Sequence, residues 1–258
     1  RTIFLLLSWG TAPPLGAADR SIPAIVVTVN TKRLAAAKAL DEVADGMLLG
    51  LGTGSTAREF IDLLGARVGE GLRVTCIATS VASERQAMAL GIQVVARADR
   101  PLDLTVDGAD EIDPALNLIK GLGGAMLREK VVAAASLRML VIATEDKLVD
   151  RLGQRCPLPV EVLPLLWERT ARAIEALGLK PVLRPLPGSG TPSAEAAPYV
   201  TDNGNYIVDC GLAGTVDPRK LSADLDAIPG VIGHGLFVGI ASQAVIAGSV
   251  GVRTVNPA

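Results

Sequence analysis

The chain has 258 residues, of which 49% are hydrophobic, 20% charged and only 3% aromatic, with a formal net charge of -2. That length suits one large or two modest domains, with a core that Ala, Leu, Val and Ile must fill. Lys and Arg are scattered and aromatic platforms are absent, so the balance speaks against nucleic acid and for a small anionic ligand.

Cys76, Cys156 and Cys210 are widely spaced and form no C-x-x-C pair. They read as buried thiols of a reducing compartment. The only histidine is His234. A multi-histidine metal site is therefore excluded, and His234, between two glycines, reads as structural. The opening "RTIFLLLSWGTAPPLGAADR" has an apolar run, then small residues like those of a signal-peptide cleavage site. The run is short and a single charge precedes it, so residues 1–29 are read as a disordered N-terminal extension. No later stretch is long and apolar enough to span a membrane.

From about Thr31 the pattern alternates. "TKRLAAAKALDEVA" predicts a helix stopped at Asp45-Gly46, "MLLGL" a buried strand, "GTGST" a turn, and "AREFIDLLGARV" a helix with Phe60, Leu63 and Leu64 on one face. "RVTCIAT" follows as a strand, "ASERQAMAL" as a helix ended by Gly91, and "IQVVA" and "LDLTV" as strands. "AMLREKVVAAAS" is helical and "RMLVIA" a strand. Such alternation implies a parallel sheet covered on both faces.

After Gly153 the order changes. "LPVEVLP" and "KPVLRPL" read as strands around the helix "LLWERTARAIEAL", and "GSGTPSAEAAP" as loop. "YVTDNGNYIVDC" reads as a hairpin turning at Asp202-Asn203-Gly204-Asn205, and "DPRKLSADLDAI" as a helix with Asp217 at the N-cap and Pro218 at N1. From Val231 the tail reads as strands returning to the first sheet. The expected architecture is α/β: a Rossmann-like parallel-sheet catalytic domain (30–153 plus 231–258) with an inserted smaller α+β, ferredoxin-like domain (154–230).

"GLGTGSTA", Gly50 to Ala57, joins a strand to a helix. Its backbone N–H groups, the helix N-terminus and the hydroxyls of Ser55 and Thr56 favour an anion, most economically a monophosphate. A P-loop would need a lysine before Ser55, and a dinucleotide fingerprint a third glycine and an acid ending the second strand. That strand ends in Thr79-Ser80 instead.

Four acids, Asp107, Asp110, Glu111 and Asp113, crowd into "DGADEID" behind the strand "LDLTV". Strand carboxyl ends are where open α/β sheets bind ligands. Gly108 permits the bend that aims Asp107 and Asp110 inward. Lys120 precedes the flexible "GLGG", and Glu129 stands early in the next helix, beside Arg128 and Lys130. Asp113, before Pro114, reads as a turn former and Glu111 as solvated. Taken singly, Asp107, Asp110 and Glu129 suit surface or capping roles, but their gathering beside an anion turn argues for chemistry. A carboxylate base, a lysine and N–H donors suit proton abstraction next to a carbonyl, with the enediolate oxygen stabilised. No metal or organic cofactor is required.

These residues resemble the type A ribose-5-phosphate isomerase family. The likeness rests on "GLGTGSTA", "TVDGADEID", "LIKGLGGAMLREK", "ATEDKLVDRLG", "LPVEVLP", "VTDNGNYIVD" and "IPGVIGHGLF", in order, from about Lys32 onward. It implies interconversion of ribose 5-phosphate and ribulose 5-phosphate with no cofactor, in the cytoplasm, by a homodimer or homotetramer. It implies Glu129 as the base. Asp107 and Asp110, with Gly108 and Ala109 between them, would contact sugar hydroxyls and help in ring opening and proton shuttling. Lys120 and the backbone of Gly121, Leu122 and Gly123 would stabilise the enediolate. Thr53, Gly54, Ser55 and Thr56 would face the phosphate, with Lys147 and Lys32 as further substrate contacts. Two features depart from the family: Leu122 where a glycine is usual, which requires a negative φ there, and a surface insertion over 188–198. A sugar-phosphate-sensing regulator domain would need a DNA-binding segment that the first 30 residues do not supply. An acyl-CoA-transferase-like enzyme would leave "TGST" and "DGAD" unexplained.

Overall fold

The computed structural model describes residues 30–187, 197–212, 214 and 217–257. The expectations for residues 1–29 and for the loop 188–196 lie outside them. Helix α1 (Thr31–Leu40) is capped by the Asn30 side chain, which accepts the Arg33 N–H, and buries Ala35, Ala36 and Ala39. It ends earlier than expected. The N–H groups of Glu42 and Val43 bond to Ala39 and Leu40, three residues back, which tightens the chain out of the α-helix.

Strand β1 (Leu48–Leu51), buried throughout, runs through the glycine turn into α2 (Ser55–Gly69), which turns Phe60, Ile61 and Leu64 inward. Then come β2 (Thr75–Ala78), α3 (Val81–Ala89) with Ser80 as N-cap, β3 (Gln93–Val94) and β4 (Leu104–Asp107). Two short strands missing from the sequence reading, β5 (Glu111–Ile112) and β6 (Leu118–Ile119), precede α4 (Met126–Ala134) and β7 (Met139–Thr144). Strands this short carry too few residues to show an alternation.

The second part contains β8 (Leu158–Val162), α5 (Trp167–Glu175), β9 (Lys180–Leu183), β10 (Tyr206–Gly211), α6 (Pro218–Asp226) and β11 (Val231–His234). Asp217 caps α6 through the Arg219 and Lys220 N–H groups, with proline in the first turn, as its sequence announces. The chain closes with β12 (Leu236–Phe237), β13 (Gln243–Gly248) and β14 (Gly251–Val255).

The large sheet runs β14-β13-β7-β4-β1-β2-β3, parallel except for the antiparallel edge β14. The small sheet runs β11-β8-β10-β9 with antiparallel neighbours. Its β-α-β-β-α-β connection is ferredoxin-like. A third sheet has three antiparallel strands in the order β12-β6-β5. The tail therefore does not return to the large sheet from Val231. β11 first covers the edge of β8, satisfying backbone groups that would otherwise stay open, and β13 makes the return. The predicted hairpin is reduced to the Thr201–Asn205 turn and one bridge, Val200 to Tyr206, because β10 pairs with β8 and β9.

Phe60, Ile61 and Leu64 pack with α1 and α3 residues against the large sheet, while Val141, Ala244 and Phe237 belong to a separate apolar cluster. A further cluster around Val160, Ile174, Val208 and Leu225 fills the small unit and includes Ile119 and Leu236. Strand order reverses between β1 and β4. Connections leave that pair in opposite directions, so a crevice opens at their carboxyl ends, at Gly52 and Asp107.

Candidate active site

The glycine turn is built against Asp107. A Cβ on Gly52 would collide with the Asp107 carboxylate, so only glycine lets the two strand ends lie this close. Asp107 Oδ1 accepts the N–H groups of Thr53 (3.0 Å) and Gly108 (2.7 Å). The Thr53 hydroxyl turns inward to Thr79 (2.7 Å) and Ser80 (2.8 Å), tying the turn to the end of β2. Gly54, with φ +108°, starts α2 and no side chain caps it. The positive helix end therefore faces outward beside Ser55 and Thr56. Lys32 reaches over from α1 and donates to Ser55 Oγ at 2.8 Å.

Lys120 is the hub of the acid cluster. Its Nζ donates to the Gly108 carbonyl at 2.6 Å and lies 2.9 Å from Asp107 Oδ2 and 3.3 Å from Glu129 Oε2. The Phe237 ring lies below, 5.5 Å from the ammonium. Glu129 occupies the first turn of α4 and is 4% exposed. Among the described residues, its buried Oε2 has no hydrogen-bond partner beyond that ammonium contact.

One ammonium cannot neutralise two buried carboxylates. Burial works against the charge of Lys120, but Asp107 and Glu129 outweigh it and hold the ammonium above the ordinary lysine value. Burial, reinforced by the Asp107 charge, pushes Glu129 up to about 8 against the pull of Lys120. Burial also raises Asp107, while Lys120 and the N–H groups of Thr53 and Gly108 draw it back. Asp107 holds the closer donors, two N–H groups and the ammonium at 2.9 Å, whereas Glu129 Oε2 has the ammonium at 3.3 Å. Helix position alone would lower Glu129, and burial prevails.

A cavity of about 350 Å³ opens over this cluster. Lys32, Thr53, Gly54, Ser55, Thr56 and Lys147 line it together with Gly108, Ala109, Asp110, Lys120, Gly121, Gly123 and Glu129. Among the described residues no group of three or more His, Cys, Asp or Glu side chains is placed to hold a metal ion.

The profile of the ribose 5-phosphate isomerase A (phosphoriboisomerase A) family matches residues 75–251. The ribose-5-phosphate isomerase A of Bradyrhizobium diazoefficiens is 52% identical over 230 residues, covering 87% of this chain and 95% of the relative. That of Rhodopseudomonas palustris (strain HaA2) is 53% identical over 233 residues, covering 88% and 97%. The chain belongs to the ribose 5-phosphate isomerase A family. The structure of ribose 5-phosphate isomerase A from Methanocaldococcus jannaschii superposes with a TM-score of 0.81 at 36% identity, over 88% of this chain and 98% of that one. A D-ribose-5-phosphate isomerase in complex with phospho-erythronic acid superposes equally well, with a TM-score of 0.81 at 36% identity, over 88% and 97%.

Within this isomerase-family fold two expected site residues stand apart from the cavity. Asp107 is fully buried behind Lys120, with both oxygens engaged by the protein, and does not reach the cavity wall. Leu122 points its side chain outward, while its N–H bonds to Asp110 Oδ2 at 2.9 Å. Its φ is not positive, so a side chain is accommodated, whereas Gly121 adopts φ +103°. Thr31, Thr144 and Asp146 also line the cavity and were missed; Thr31 and Asp146 adjoin Lys32 and Lys147, the only signal the sequence offers.

Glu111 is not solvated. It is fully buried and accepts the N–H groups of Gly153 (2.6 Å), Arg155 (2.5 Å) and Cys156 (2.9 Å), pinning the loop that enters the small unit. Asp113 does form a turn, accepting from Ala115 and Asn117. His234 is buried between α4 and α6. Its Nδ1 accepts the Leu236 N–H at 3.2 Å, so Nε2 carries the proton and faces Ser222 and Asp226.

Proposed function

We propose that this chain interconverts D-ribose 5-phosphate and D-ribulose 5-phosphate through a cis-enediolate, with Glu129 as the base. The observation that carries this reading is Glu129 itself: a buried carboxylate raised to about 8, in contact with a lysine and opening on a cavity walled by an anion-binding turn. A carboxylate of that basicity suits removal of a proton next to a carbonyl.

In the forward direction the phosphate sits on the Gly54–Thr56 backbone, with Lys32, Ser55 and Lys147 around it. Glu129 takes the proton from C2 of the open-chain aldose, and the electron pair moves onto the C1 oxygen. Lys120 and the N–H groups of the 121–123 loop meet the negative charge. Asp110 passes the hydroxyl proton from the C2 oxygen to the C1 oxygen, and Glu129 returns its proton to C1 to give the ketose. Asp110 also assists opening of the sugar ring. Asp107 acts from behind, holding Lys120 charged and in place. A D-ribose-5-phosphate isomerase of this fold in complex with phospho-erythronic acid supports this, since the carboxylate of that acid resembles an enediolate in charge and planarity.

The reaction belongs to the non-oxidative branch of the pentose phosphate pathway. The family resemblance supports a cytoplasmic homodimer or homotetramer. No helix among the described residues is long and apolar enough to cross a membrane.

The test is to incubate the purified protein with ribose 5-phosphate, with and without EDTA, and follow ribulose 5-phosphate. EDTA-insensitive turnover that disappears in Glu129→Gln is expected. A Glu129→Gln variant of near-normal rate would remove Glu129 as the base.

A further inference from the structure

We propose that Arg184, which reaches across from the small sheet, is a positioning residue for the isomerisation: it sets the peptide planes of the Gly121–Leu122–Gly123 loop. The proposal rests on the site reading above, in which that loop faces the enediolate.

Arg184 follows β9 and its side chain is 12% exposed. Asp209 on β10 grips it twice, accepting Nε at 2.8 Å and Nη2 at 2.5 Å. This two-point grip fixes the plane of the guanidinium. Nη1 is then aimed at the large unit, where it donates to the Gly121 carbonyl at 3.1 Å and the Leu122 carbonyl at 3.0 Å. Tyr199 flanks the guanidinium, 5.8 Å from ring centre to Cζ, and its hydroxyl donates to the Gly123 carbonyl at 3.4 Å.

In a trans peptide the C=O and N–H point in opposite directions. With the Gly121 carbonyl drawn to Arg184, the Leu122 N–H must point the other way, and Asp110 Oδ2 accepts it there at 2.9 Å. With the Leu122 carbonyl also drawn to Arg184, the Gly123 N–H faces away from the guanidinium too. Gly123 and Asp110 both line the cavity. The loop has little rigidity of its own, since Gly121 adopts φ +103° and Gly124 φ +82°. Without the guanidinium the Leu122 carbonyl loses its donor and the Gly121 carbonyl keeps only the Gly124 N–H at 2.9 Å, so the Leu122–Gly123 peptide above all is free to turn over. A flipped peptide would present a carbonyl dipole to the enediolate, opposing charge where an N–H should meet it.

The experiment measures kcat and KM for ribose 5-phosphate in Arg184→Ala, Arg184→Lys and Asp209→Asn, with affinities for phospho-erythronic acid and inorganic phosphate and the melting temperature of each. For Arg184→Ala we expect kcat to fall about ten- to a hundredfold, short of the loss of an entire oxyanion donor. KM and phosphate affinity stay within about threefold, because the helix-terminus contacts that hold the anion are untouched. Affinity for phospho-erythronic acid falls with kcat. Lysine does not rescue, since an ammonium cannot fork onto Asp209 and both carbonyls. Asp209→Asn gives a smaller loss with the same split, and carries the test if Arg184→Ala does not fold. A kcat within twofold of the parent overturns the proposal. So does a parallel loss of kcat, phosphate affinity and melting temperature, which would mark a merely structural side chain. Glu129→Gln is run alongside: if it stays active, the site reading fails; if it is dead while Arg184→Ala is fast, only the present proposal fails.

Discussion

Lys120 Nζ stands 3.3 Å from Glu129 Oε2, with both side chains withdrawn from water. The contact is long for a charge-assisted bond and the Glu129 oxygen has no other donor. A carboxylate held this loosely keeps its basicity; Asp107 is raised by burial as well, but Lys120 and the N–H groups of Thr53 and Gly108 oppose the rise.

Glu129→Gln should therefore remove turnover, by about 10²–10⁴-fold, the usual worth of a positioned base. The amide preserves shape, so binding of phospho-erythronic acid, measured by calorimetry, should persist.

The pH profile follows from the same group. Only ionised Glu129 is a base, and burial places its titration at about 8. The kcat/KM of the free enzyme should rise with pH, about tenfold per unit below that value, and level off above it. A profile flat from pH 6 to 9 would contradict the assignment.

In the proposed reading Lys32 serves the anion end and not the reacting carbons, and its Nζ donates to Ser55 Oγ of the turn. Lys32→Ala should raise KM for ribose 5-phosphate about tenfold or more, the worth of one charged hydrogen bond, with kcat nearly unchanged. A kcat defect at saturating substrate would instead place Lys32 in the chemical step.

Glu111 supports the path into the small unit. Glu111→Ala would leave the N–H groups of Gly153, Arg155 and Cys156 without their acceptor. Each buried donor costs about 1–3 kcal/mol, so a loss of at least about 3 kcal/mol is expected in urea denaturation. A loss under about 1 kcal/mol would show that water reaches these groups.

His234 predisposes the fold to acid. Burial, with Lys130 nearby, lowers it to about 4, against the opposing pull of Asp226. The native state thus keeps it neutral while the unfolded chain takes up a proton near pH 6.5. Its contribution is complete above about 6.5 and is lost as pH falls towards about 4, on the order of 3 kcal/mol. His234→Gln should flatten the dependence of melting temperature on pH across that window.

Features that depend on neighbours in the chain were legible in the sequence. The glycine turn, the Asp217–Pro218 helix start, the strand-helix alternation and the gathering of acids after "LDLTV" all arise from contacts spanning a few residues. What water exclusion and long-range contact decide was not. Glu111 reads like any surface carboxylate, and Asp107 like a cavity residue, until the strands close over them, because burial belongs to the assembled sheet and not to the dipeptide. The rise of Glu129 to about 8 has the same origin, desolvation plus the Asp107 charge across the crevice. Arg184 meets Leu122 from 62 positions away, through the pairing of β9 with β10, and no local pattern marks it. The sequence by itself determined which chemical groups are present and which turns carry them. The tertiary structure decided which are dry, which are charged and which face the substrate, since solvation and Coulomb energies depend on distance in space.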